Sequence, residues 1–217
     1  MHFGLFFKQL LSPRLAALSL VLLLLPTAES AGQAEWQRTV EVIVPVEEGL
    51  VTRALTDSVV AMVEEAQALK PRRAPNTDTS ATLKEIRAAL SGEGLALTSA
   101  THVFITYRFT QKSSRLRRDI LDFHFIYRPS AEQGEDIPIL YLDLSKNNLH
   151  QRLLVEKGTP VRINEAAFRS FEDQVRFSEL QEEATVVQVG DRVLRDAEKA
   201  ATAKQQILRT IQNLTYE

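Results

Sequence analysis

The stretch that most constrains the fold is 101–144, where three runs with strand periodicity follow one another: Thr101–Phe109, Arg117–Arg128 and Asp136–Ser145. In the first, Val103, Ile105, Tyr107 and Phe109 alternate with His102, Phe104, Thr106 and Arg108. In the second, Leu121, Phe123, Phe125 and Tyr127 alternate with Ile120, Asp122, His124 and Ile126. Successive side chains on a strand point to opposite faces, so each run has one strongly apolar face and one mixed face. The short connections Thr110–Leu116 and Pro129–Glu135 suit antiparallel neighbours. The stretch therefore predicts a three-stranded meander whose apolar face needs a cover.

The remaining chain supplies that cover. Arg38–Val46 predicts a further strand, with Val40, Val42, Val44 and Val46 on one face and Pro45 suited to its end because it lacks an N–H. Leu50–Leu69 predicts an amphipathic helix, with Leu50, Ala54, Leu55, Val59, Met62, Val63 and Ala66 at helical spacing and Glu47 and Glu48 near its N-terminal dipole. Pro71–Ser80 reads as a loop, and Thr82 with Glu85 has the spacing of a capping box for a short helix through Leu90, ended by Gly92 and Gly94. Residues 146–163 fit either a helix from Lys146 to Lys157 or a hairpin turning at Lys157-Gly158-Thr159; the apolar run Leu153-Leu154-Val155 favours the hairpin. Asn164 is expected to cap a helix on which Phe168, Phe171 and Val175 share a face. Gly190-Asp191 predicts a hairpin between Thr185–Val189 and Arg192–Leu194, and Asp196 caps a last helix, Ala197–Asn213. Together these predict one α+β domain over 31–217: an antiparallel-rich sheet around the central meander, with helices packed on one face.

Residues 1–30 read as a secretory signal peptide. Lys8 and Arg14 precede the apolar run Leu15–Leu25, and Pro26 with the small residues Ala28, Ser30 and Ala31 follows. A membrane span needs about 20 apolar residues, more than this run offers, so cleavage is expected rather than anchoring, and no later segment has a spanning pattern. Of 26 basic and 28 acidic residues, Lys8, Arg14 and Glu29 fall in this leader, leaving 24 against 27. That slightly acidic balance argues against a nucleic-acid partner. The chain has no cysteine, which excludes disulfides, thiol chemistry, cysteine-type zinc sites and a lipidated N-terminal cysteine. An exported domain without disulfides fits a bacterial periplasm.

Two groups of side chains stand out. Lys112, Arg115, Arg117 and Arg118 lie in or beside the first meander connection, where a basic cluster suits an acidic protein surface, a membrane or the cell wall. Arg117 and Arg118, being adjacent on a strand, face opposite sides. Asp122, His124 and Asp143 lie on two neighbouring strands, with His102 or His150 available to join them, and carboxylates with imidazoles could hold a metal or perform acid–base chemistry. The aromatics Phe104, Tyr107, Phe109, Phe123, Phe125, Tyr127 and Tyr141 suit the core better than a ligand groove. No nucleophile elbow, phosphate loop, dinucleotide fingerprint or zinc-protease motif is present.

The sequence thus points to an exported, non-enzymatic envelope protein that binds or assembles with another envelope protein and needs no cofactor. A hydrolase centred on Asp122, His124 and Asp143 and a small-ligand carrier are the alternatives. If residues 1–30 are a leader, N-terminal sequencing of the exported protein will find a start near Ala31; Met1 in a membrane fraction would show an uncleaved anchor instead.

Overall fold

In a computed structural model, the described residues are 36–65, 71–77, 81–112, 115–130, 134–161, 164–180 and 182–215. Strand β1 (Trp36–Pro45) is central. It pairs antiparallel with β2 (His102–Lys112) on one side and with β7 (Thr185–Val189) on the other. Beyond β2 come β3 (Arg115–Tyr127) and β4 (Ile137–Asp143), and beyond β7 comes β8 (Arg192–Val193). The six-stranded order is β4-β3-β2-β1-β7-β8, and every pairing is antiparallel. The expected meander is the β2–β3–β4 half of this sheet. Its first connection is shorter than the sequence suggested, because the ladder runs on to the Lys112–Arg115 pair and leaves only 113–114 between the strands.

The apolar face is the one the alternation marked. Val40, Val42, Val44, Val103, Ile105, Tyr107, Phe109, Phe123 and Phe125 are all almost fully buried. Strand β3 departs from strict alternation. Thr106 pairs with Asp122 but Tyr107 pairs with Ile120, so Leu121 is an extra residue and Ile120 joins the buried side. A similar slip leaves Ile139 of β4 without a partner, and it too is buried.

Helix α1 (Val51–Glu65) buries Leu55, Val59, Val60, Met62 and Val63 into this core. The continuation to Leu69 lies outside the described residues. Thr52 and Thr56 are buried with it, and their hydroxyls donate to the carbonyls of Pro45 (2.6 Å) and Thr52 (2.7 Å), so neither is left unsatisfied. Helix α2 (Leu83–Gly92) carries the expected capping box between Thr82 and Glu85. The last helix, α4 (Ala197–Thr215), is capped by Asp196, which accepts from Lys199 N at 2.9 Å. It buries Ala200, Ile207 and Leu208 against β7 and β3, whereas Ala201 is exposed. The hairpin at Gly190-Asp191 forms as expected, with Gly190 at φ +58°, a conformation that favours glycine.

Residues 146–175 differ from both expectations. Asn147 and Asn148 take left-handed conformations, and His150–Val155 then forms one wide helical turn closed by Glu156 N donating to Gln151 O. The wide turn buries Leu149, Leu153 and Leu154 together, which is why this apolar run is not a strand. The hairpin instead joins β5 (Gly158–Val161) to β6 (Asn164–Ser170). Asn164 therefore starts a strand rather than capping a helix. Ser170 caps the short helix α3 (Phe171–Gln174), its hydroxyl accepting from Asp173 N. Phe171 and Val175 are buried, but Phe168 belongs to β6 and is 52% exposed. The spacing of these three residues imitated a helix; the Ser170–Asp173 pair was the signal that one starts later.

The segment after α3 is locked to the sheet by Tyr107, whose hydroxyl donates to the Val175 carbonyl at 2.7 Å, and by Phe177, whose ring meets Tyr107 and Phe109 edge-on. Two substitutions test this arrangement. Phe123→Ala should cost about 3–5 kcal/mol by urea denaturation, through lost transfer energy and the cavity left behind. Gly158→Ala should also destabilise, since an added Cβ would lie 1.9 Å from the Arg169 carbonyl oxygen across the hairpin. A loss below about 1 kcal/mol for Phe123→Ala would mean its face is not the covered one.

Candidate functional site

The opposite face of the sheet carries rows of side chains aligned by strand register. One row runs Gln188, Glu41, Thr106, Asp122, Asp143 across β7, β1, β2, β3 and β4. The next runs Ile43, Phe104, His124, Tyr141. Towards the sheet's other end, Arg108 pairs with Asp119 and Thr110 with Arg117. Neighbouring strands are about 4.8 Å apart, so each row is a continuous band. Both irregularities that adjoin the polar row, the slip at Leu121 and one between Glu41 and Val42 against β7, fall beside its carboxylates. Bulges of this kind re-aim side chains and are common next to functional sites.

Register brings Asp122 and Asp143 directly opposite each other, and Glu41 lies beyond Thr106 in the same row. Burial pushes Asp122 up to about 6; the Thr106 hydroxyl, donating at 2.8 Å, opposes the rise and the charge of Asp143 adds to it. Glu41 is also raised, by burial and then by the charge of Asp122. Burial would raise Asp143 as well, but hydrogen bonds from Ser145 (2.5 Å) and Lys146 (3.1 Å) override it and hold this carboxyl low. Two carboxylates in one row are thus displaced in opposite directions, a pattern that separates acid from base where chemistry occurs.

His124 keeps different company. Its ring stacks on Phe104 at 5.8 Å and meets Tyr141 edge-on at 6.2 Å. Its Nε2 is buried without a hydrogen-bond partner, and burial lowers its pKa. His150 does not join the group: it faces Glu172 at 3.8 Å. His102 pairs with Ile126 near the end of the sheet. Among the described residues, no group of three or more His, Cys, Asp or Glu side chains is arranged to hold a metal ion.

The basic cluster divides between the two faces. Arg117 is exposed and bonds Asp119 at 2.9 Å, sharing that carboxylate with Arg108 at 3.4 Å. Arg118 pairs in register with Phe109 on the helix-covered side, half-buried near Arg176, Glu172 and Asp173; burial lowers its pKa. It cannot meet the same partner as Arg117. Lys112 and Arg115 are register partners at the end of the hairpin, and their side chains lie outside the described residues. The aromatics divide as well: Tyr107, Phe109, Phe123 and Phe125 are core, whereas Phe104 and Tyr141 lie partly buried on the open face. A cleft of about 550 Å³ lies elsewhere, between the start of β1, the β7–β8 turn and α4. Arg38, Arg192, Leu194 and Ile207 help line it, and its lining includes no carboxylate or imidazole.

No protein-family model matches the chain, and no curated protein matches its sequence.

A raised carboxyl makes a pH prediction with a definite sign. Asp122 binds its proton more tightly folded than unfolded, where its pKa is about 3.9. Its stabilising contribution is therefore fully present below about pH 4 and is lost as pH rises through about 6, costing on the order of 3 kcal/mol. Asp122→Asn, which can still accept from Thr106, should melt several degrees above wild type at pH 7.5, and the gap should close near pH 4.5. A gap independent of pH would show that the Asp122 carboxylate is ionised in both states.

Proposed function

We propose that this chain is a non-enzymatic binding or assembly module of the bacterial envelope, exported by the leader at 1–30, and that the open face of its sheet is the surface that engages another envelope protein. The observation that supports this reading is the chemistry of that face. Helices bury one side of the sheet, while the other leaves Phe104 and Tyr141 only partly buried beside carboxylates that burial has raised. Partly desolvated carboxylates without a cationic partner cost stability, and surfaces that carry such a cost commonly serve binding. The basic turn is a weaker candidate, because Asp119 already engages Arg108 and Arg117. Among the described residues no helix is long and apolar enough to cross a membrane.

The opposite displacements of Asp122 and Asp143 support a second reading, an acid–base hydrolase using that pair. A photo-crosslinking residue placed at Phe104 in exporting cells separates the two. A discrete protein adduct, absent when the residue is placed at exposed Lys199 on the far helix, supports the binding module. Turnover of a nitrophenyl ester or glycoside by the purified chain, abolished by Asp122→Asn, would replace it with the enzyme.

A further inference from the structure

Resting on that reading of the open face, we infer that its partner is a basic amphipathic segment, one presenting lysine or arginine beside apolar side chains. Three observations converge. Glu41 and Asp122 stand in one row with Thr106 between them, and among the described residues neither has a salt bridge, whereas Asp143 in the same row is engaged by Lys146. The row beside it is aromatic: Phe104, His124 and Tyr141 are partly buried and in ring contact, next to the buried Ile43. The two rows are two residues apart along each strand, about 7 Å, the spacing at which one segment can set a cationic group over the first and an aliphatic or aromatic group over the second. A cation placed there gains the two carboxylates and the faces of the neighbouring rings together.

The same arrangement disfavours the other occupants of an exposed sheet face. An anionic lipid surface would meet Glu41 and Asp122 as like charges. A second copy stacked face to face would bring two sets of these carboxylates together unless it offered its own cations.

The test uses the purified full chain and two synthetic amphipathic 14-residue peptides of leucine with lysine or of leucine with glutamate, followed by fluorescence anisotropy. The lysine peptide should bind at pH 8 and weaken with added salt, and the glutamate peptide should not bind. The double substitution Glu41→Gln, Asp122→Asn should weaken the lysine peptide at least tenfold without lowering the melting temperature. Tyr141→Ala, which removes a ring but no charge, should weaken it separately, and Arg117→Ser should leave it unchanged. Equal binding of both peptides, or lysine-peptide binding that survives the double substitution, overturns the inference; so does a dimer of the free chain that the double substitution dissolves. The outcome is distinguishable from failure of the binding-module reading: an adduct at Phe104 in cells that persists in the double variant keeps the face and rejects the cationic partner, whereas no adduct rejects the face.

Discussion

The structure depends on the antiparallel register of β1 with β2. Val40, Val42 and Val44 lie opposite Tyr107, Ile105 and Val103, so three valines and their partners build the centre of one buried face. A slip of one residue in β1 would send its valines to the other side and put Glu41 under the helices. Nothing local in β1 prevents such a slip. The apolar faces of α1, the Phe171–Leu180 segment and α4 prevent it, because they can be buried only against the valine side.

The two faces therefore have different duties. On the covered side, polar groups are scarce, and the hydroxyls of Thr52, Thr56 and Tyr107 each donate to a backbone carbonyl. Burying a hydroxyl without such a bond would cost about 1–3 kcal/mol. On the open side, polar groups are numerous and incompletely partnered. The charge of Asp122 adds to the cost of ionising Glu41, and the Nε2 of His124 is buried without a partner. The bulges beside Glu41 and at Leu121 connect the two sides, since each inserts a residue that re-aims its neighbours.

Electrostatics divides the open face along the strands. One end holds Arg108 and Arg117 around Asp119; the middle holds the carboxylate row; the aromatic row lies beyond it. Such a banded surface selects partners by sign as well as by shape. It also explains why the four-residue basic cluster does not act as one unit: strand alternation sends Arg118 beneath the helices and leaves Arg117 in solvent.

Much of this was legible in the residues themselves, because the governing signals were local. Alternation is a property of neighbours, so the β1 and β2 faces, the meander, the Gly190-Asp191 hairpin, the Thr82–Glu85 capping box and the Asp196 cap could all be read from sequence. What the sequence could not determine was anything set by contacts between distant segments. The bulges in β3 and β4 moved Ile120 and Ile139 inward because β2 paired with β3, and β3 with β4, as they did. Phe168 was spaced like a helical residue but lies on a strand, because Ser170 caps the helix after it. The candidate site shows the same division. Asp122, His124 and Asp143 were visible as chemistry, yet Glu41 was missed, since only the β1–β2–β3 register carries a residue about 80 positions from Asp122 into the row that Asp122 shares with Asp143. Burial and charge then displaced these carboxyls, and both depend on the tertiary environment rather than on residue type.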